Sequence, residues 1–208
     1  GMLSTCDAGT VAITGTAGVG KTSLAVHWAH RIADRFPHGQ LYVNLRGYDP
    51  GSPPVEAGIA IRGFLQALSV PPERVPSDID TQAALYRSTL AGRRLLVVLD
   101  NACDAGQVRP LLPGTPGCLA LVTSRDQLTG LVVTQAARRL TLALMSTVES
   151  KTLLAGRIGA DRLAAEPDAA ERIVTACARL PLALAVAAAH ASARPDRPLA
   201  ALADELRG

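Results

Sequence analysis

Gly15-Thr16-Ala17-Gly18-Val19-Gly20-Lys21-Thr22 fits the pattern G-x-x-x-x-G-K-[ST], in which backbone N–H groups wrap phosphate oxygens where a helix begins. Glycines let successive N–H groups turn inward, the helix dipole favours an anion, and Lys21 brings a cation to the β- and γ-phosphates. The Thr22 hydroxyl is the expected Mg2+ ligand, because that ion keeps several waters and takes few protein oxygens. Ser23 is counted with the loop as a nucleotide-binding position. The motif requires a strand before it and a helix after it. Val11 to Thr14 reads as the strand. Leu24, Trp28 and Ile32, with Ala25, Ala29 and Ala33 beside them, recur at helical spacing and predict a helix ending near Phe36, just before Pro37.

Working outward, short apolar runs alternate with helical patterns, the signature of a parallel sheet with crossover helices. Leu41 to Leu45, Leu95 to Leu99, Cys118 to Thr123 and Arg138 to Leu142 read as strands two to five. Their near-continuous apolar character predicts cover on both faces. Tyr48 to Pro54 is a Gly/Pro-rich loop, and Pro71 to Pro76 divides helical stretches around Phe64 and Leu85. No chemistry is assigned to these segments. After Leu142 no strand pattern remains. Ser146 and Glu149 have capping-box spacing, opening a helix that Gly159 closes. Another helix follows Pro167 with Ile173, Val174 and Cys177 on one face, a third starts at Pro181, and Leu199, Leu202 and Leu206 mark a last amphipathic segment. The fold expected is α/β: a P-loop NTPase domain, residues 2–143, with a five-stranded parallel sheet and flanking helices, then a small partial helical bundle over 144–208.

Composition agrees with this and removes other classes. The 208 residues are 48% apolar but only 3% aromatic, so the core must be built from Ala, Leu and Val. A net charge of +3, with basic and acidic residues interspersed, leaves no stripe for direct nucleic-acid binding. Cys6, Cys103, Cys118 and Cys177 are too scattered for a metal knuckle or a disulfide scaffold, which points to reduced thiols and a cytoplasmic setting. Leu180 to Ala193 is broken by Pro181 and carries His190, so it is no membrane span. Gly1 before Met2 reads as a tag remnant.

Asp100 follows the third apolar run, where open α/β sheets place their ligands, and is the expected Mg2+ carboxylate. Its neighbour Asn101 occupies the place of the second carboxylate found in vigorous ATPases; an amide orients water but cannot take its proton, so hydrolysis is expected to be slow. Thr123-Ser124-Arg125 ends the fourth strand, from which a guanidinium can reach a γ-phosphate. Lys21, Asp100 and Arg125 are therefore the candidate catalytic residues, and Thr22 and Asp100 the candidate metal ligands. No Asn-Lys-x-Asp stretch occurs, so ATP is expected over GTP. His27 and His30 lie three apart on the first helix without a cluster of further ligands and are read as structural.

With the loop, Asp100, the Thr-Ser-Arg triplet and Leu180-Pro181-Leu182-Ala183-Leu184 in this order, the chain resembles the NB-ARC module of the STAND class of signalling ATPases. Leu-Tyr-Val-Asn-Leu-Arg-Gly-Tyr-Asp-Pro at 41–50 and Leu-Asp-Asn-Ala at 99–102 look most like bacterial SARP-type transcriptional regulators. The resemblance covers nearly the whole chain. It implies a switch, closed with ADP and opened by ATP into a form that self-associates, with DNA-binding and sensor modules elsewhere in the protein. It also implies that Arg125 senses the γ-phosphate and that Pro181, with Leu182, packs on adenine. Three departures stand out: Arg179 replaces the family's glycine, and neither the upstream Gly-Arg-Glu segment nor the winged-helix domain with its ADP-clamping histidine is found. An excised core with impaired nucleotide affinity is the expectation. A small-molecule kinase uses the same loop but needs an arginine-rich lid and a base at the acceptor, and no such cluster is seen. A scaffold that has lost its nucleotide is the third reading.

Overall fold

The computed structural model describes residues 9–207; Gly1 and Cys6 lie outside them. Strands β1 (Gly9–Thr14), β2 (Gln40–Asn44), β3 (Leu96–Ala102), β4 (Leu119–Ser124) and β5 (Arg138–Thr141) form one five-stranded sheet in the order β2-β3-β4-β1-β5. Every pairing is parallel. Helices α1 (Lys21–Arg31), α2 (Ala57–Ala67), α3 (Ile79–Leu90), α4 (Ala105–Val108) and α5 (Thr129–Gln135) connect the strands. The compact unit that holds the sheet runs up to Gly15 and from Lys21 to Thr141.

Alternation along the pleat sends successive side chains to opposite faces, and both faces are buried at the central strands β3 and β4. The edge strands β2 and β5 are largely exposed, against the expectation of cover on both faces, because each has a neighbour on one side alone. Val97 and Leu99 of β3 and Ala120 and Val122 of β4 join a core with Ile61 and Leu65 of α2 and Tyr86 and Leu90 of α3. The rings of Phe64 and Tyr86 stack within it, 5.8 Å apart. On the other side α1 packs on β3 and β4, burying Ala25, Trp28 and Ala29. The helix stops at Arg31, and a single 3-10 turn over Ala33–Arg35 carries the chain to the buried Phe36. Strand β3 departs most from the sequence expectation. It continues beyond Leu99 through Asp100 and Asn101 to Ala102, with a register irregularity between Leu99 and Ala102 and Asn101 left-handed at φ 57°. Asn tolerates that conformation better than most residues.

The second unit runs from Leu142 onward, together with the loop residues Thr16–Gly20. Its helices are α6 (Thr147–Ile158), α7 (Ala160–Ala165), α8 (Pro167–Ala176), α9 (Pro181–Ser192) and α10 (Leu199–Glu205). Leu154, Ile173, Leu184 and Leu199 contribute to a core of their own. The capping box at α6 is complete: Glu149 N–H donates to Ser146 Oγ at 3.2 Å and Ser146 N–H to Glu149 Oε2 at 2.7 Å. Gly159 closes that helix at φ 100°. Glu166 caps α10, accepting the N–H groups of Leu199 at 2.8 Å and Ala200 at 3.0 Å.

Helix α8 ends in a Schellman motif. Ala178 N–H donates to Thr175 O at 3.0 Å and Arg179 N–H to Val174 O at 3.2 Å. Ala178 and Arg179 are consecutive left-handed residues, at φ 48° and 56°, and neither is glycine. Arg179 thus adopts the conformation that the glycine in the resembled pattern would adopt freely. Among the described residues no helix is long and apolar enough to cross a membrane.

Candidate functional site

In the sheet unit, β4 lies between β1 and β3. The residue that follows β1 and the acid on β3 are therefore two strands apart, with the end of β4 between them. This is the carboxyl edge of a parallel sheet, beside the strand from which connections leave in both directions, where such folds hold ligands.

Asp100 is 5% exposed and organises this edge. Its Oδ1 accepts hydrogen bonds from Thr22 Oγ1 at 2.7 Å and Thr123 Oγ1 at 2.6 Å. Tyr42, on β2, donates its hydroxyl to Oδ2 at 3.3 Å. The two flanking strands and the first turn of α1 thus supply one donor each, and a buried carboxylate needs such partners. The Thr22 proton points at Asp100, so the lone pairs of that hydroxyl are left for a cation. Hard oxygen donors of this kind suit Mg2+, and the pair fits the metal expected there.

Lys21, the first residue of α1, donates from Nζ to Gly15 O at 2.9 Å. Its ammonium is held below the usual lysine range, first by burial and then by the nearby charge of Arg125, with Asp100 acting the other way. Two cations that raise each other's energy in this manner are a place for an anion. Burial, and after it the Asp100 charge, pushes the Tyr42 hydroxyl up, so it remains a donor.

The triplet ending β4 divides its work. Thr123 also accepts the Asn101 N–H at 2.9 Å. Ser124 Oγ donates to Ala102 O at 2.6 Å and accepts the Asp126 N–H at 2.9 Å, fixing the turn. Arg125 is exposed, and its guanidinium carbon sits 5.0 Å from the centre of the Tyr48 ring.

The rest of the loop lies with the helical unit. Gly15, Gly18 and Gly20 have φ of 145°, 75° and 96°, which only glycine adopts without strain. Thr16 and Ala17 are exposed and Val19 is buried. Leu182 N–H donates to Gly18 O at 3.2 Å, and a Cβ on Gly18 would lie 3.4 Å from the Leu182 Cβ. Pro181 is the first residue of α9. Ser23, His27 and His30 are exposed on α1. Among the described residues no group of three or more His, Cys, Asp or Glu side chains could hold a metal ion. Sequence reasoning missed Tyr42 and Tyr48; alternation along β2 turns Tyr42 away from the core side of Leu41, but spacing does not reveal its partner.

No family model matches the chain. It is 48% identical over 195 residues to the regulatory protein AfsR of Streptomyces griseus, covering 94% of this chain and 20% of that protein. ORC2 of Aeropyrum pernix, solved in complexes with ADPNP and ADP, superposes with a TM-score of 0.56 at 17% identity, over 96% of this chain and 61% of that one. A STAND protein with a tetratricopeptide repeat sensor from Pyrococcus horikoshii superposes with a TM-score of 0.53 at 17% identity, over 85% of this chain and 26% of that one. The fold is that of P-loop ATPases. The chain spans a fifth of the length of the AfsR relative it matches.

Proposed function

We propose that this chain, a STAND-class P-loop ATPase module related to part of the AfsR-like regulators, is an ATP/ADP switch within a cytoplasmic transcriptional regulator. One observation carries the reading. The Thr22–Asp100 hydrogen bond of 2.7 Å joins the phosphate loop to the β3 acid, beside a lysine whose charge is already opposed by Arg125. In this reading Gly15 to Ser23 hold the phosphates through backbone N–H groups and Lys21 neutralises the β- and γ-oxygens. Thr22 and Asp100 hold Mg2+, which when bound supplies positive charge against the phosphate oxygens. Arg125 meets the γ-phosphate. Leu182, bonded to Gly18, and its neighbour Pro181 are assigned to adenine. DNA contacts and nucleotide-dependent self-association are assigned to the longer protein.

Hydrolysis is slow in this reading. Asp100 is occupied by three hydroxyl donors, and Asn101 offers an amide where a general base is wanted. Turnover on the order of 10⁻⁴ to 10⁻² s⁻¹ is expected, as in P-loop switches without a fully assembled site. The test is calorimetric titration with ATP, ADP and GTP, with and without Mg2+, combined with phosphate release. Adenine preference, Mg2+ dependence and slow release lost in Asp100→Asn support the proposal. Equal affinity for GTP, no nucleotide binding, or fast turnover that depends on a hydroxyl acceptor overturns it.

A further inference from the structure

We infer that Tyr48 is a positioning residue for Arg125, and that its ring sets how strongly the chain prefers a nucleoside triphosphate to the diphosphate. The inference rests on the reading of Arg125 given above. A Cβ on Gly47 would lie 2.3 Å from Cys103 N and 2.6 Å from Asn101 O, both backbone atoms, so only glycine lets this loop lie against the end of β3. The Gly47 N–H donates to Asn101 O at 2.7 Å and secures the approach. The next residue is thereby delivered to the site edge, and Tyr48 OH donates to Cys103 O at 3.2 Å. The ring is held by its backbone at one end and its hydroxyl at the other.

Arg125 lies over that ring. Among the described residues the contact found for its guanidinium is this aromatic face rather than a carboxylate. The difference matters chemically. A carboxylate would occupy the N–H donors that a phosphate needs, whereas a ring face attracts the cation and leaves those donors at its rim free. A long exposed side chain held in this way loses less freedom when a ligand arrives. The benefit reaches only a ligand that touches Arg125.

The experiment is calorimetry with Mg-ATP and Mg-ADP on the full chain and on Arg125→Ala, Tyr48→Phe, Tyr48→Leu and the double variant Tyr48→Leu/Arg125→Ala. Arg125→Ala is expected to lose the larger part of the ATP preference. Tyr48→Phe keeps the ring and is expected to keep that preference. Tyr48→Leu is expected to reduce it about 2- to 5-fold with ADP affinity unchanged, and to add nothing once Arg125 is gone. Unchanged ADP affinity also certifies folding; should Tyr48→Leu fail to fold, Tyr48→Met takes its place. An unaltered preference in the ring-less variant, parallel weakening for ATP and ADP, or a further loss in the double variant overturns the inference while leaving Arg125 as sensor. An Arg125→Ala variant with the parent preference removes the sensor reading itself, and this inference with it.

Discussion

Thr123 and Asp100, on neighbouring strands and 23 residues apart, meet through a buried hydrogen bond of 2.6 Å. The same Thr123 oxygen accepts the backbone N–H of Asn101. One hydroxyl therefore fixes both the acid and the left-handed residue that follows it.

Thr123→Val keeps the shape but strands the Asn101 N–H and removes one of the three hydroxyls that hold the carboxylate. Stability is expected to fall by about 1–3 kcal/mol, the consequence of an unpaired buried donor. More Mg2+ will also be needed to reach half-maximal ATP binding. Thr123→Ser keeps the hydroxyl and should restore most of both quantities. Urea denaturation and Mg2+ titrations read them, and a valine variant equal to the parent in both would dismiss the role of this hydroxyl.

Lys21→Ala removes the cation nearest the loop. Loss of a charge-assisted contact to phosphate is expected to weaken ATP binding roughly 10- to 100-fold. Because Lys21 Nζ also donates to Gly15 O, a thermal melt of the nucleotide-free variant separates loop damage from lost charge. ATP affinity within a factor of about two of the parent would contradict the assignment.

Ala178→Gly tests the end of α8. The residue sits at φ 48° without being glycine, a conformation that costs about 1–2 kcal/mol in ordinary residues. Glycine also gains freedom in the unfolded chain, so a net stabilisation of about 1 kcal/mol is expected. A decrease in the denaturation midpoint would show that the position is unstrained.

Glu166 gives a pH dependence. The N–H groups of Leu199 and then Ala200 hold its carboxyl below the usual range. A depressed folded value means that the stabilisation is present above the ordinary glutamate value of 4.5 and is lost as pH falls through the lower folded value. Glu166→Gln should lower stability at neutral pH, by the ~1 kcal/mol typical of a cap, and flatten part of the acid-side decline. Asp78, Asp104, Glu149 and Glu205 are shifted the same way, so a slope remains. Identical profiles for parent and variant would count against the cap.

The sheet was legible because buried parallel strands are written as apolar runs, and the phosphate loop because its chemistry fixes residue types at fixed intervals. The extension of β3 was not, since Asp100 and Asn101 are residues that strands usually avoid, and the bonds that hold them come from Thr22, Tyr42, Gly47 and Thr123, all distant in sequence. Tyr42 and Tyr48 were invisible for a related reason. Their partners, Asp100 and Cys103, are 58 and 55 residues away, and no local periodicity encodes such a pairing. Helix α5 escaped notice because Leu128, at its start, is left-handed and offers no side-chain cap. Arg179 was recognised as a departure, but its left-handed backbone emerges only from the turn it completes.

The strand order has a dimensional consequence. Neighbouring strands lie roughly 4.8 Å apart, so the insertion of β4 holds β1 and β3 about 9–10 Å from one another. That interval works as a fixed gauge. Gly15 and Asp100 stand at its two jaws, the Thr22 side chain bridges them, and neither strand backbone can close on the other without unzipping a paired strand from both sides. Arg125, which leaves β4 at the middle of the gauge, is carried by the element that sets the width it would measure.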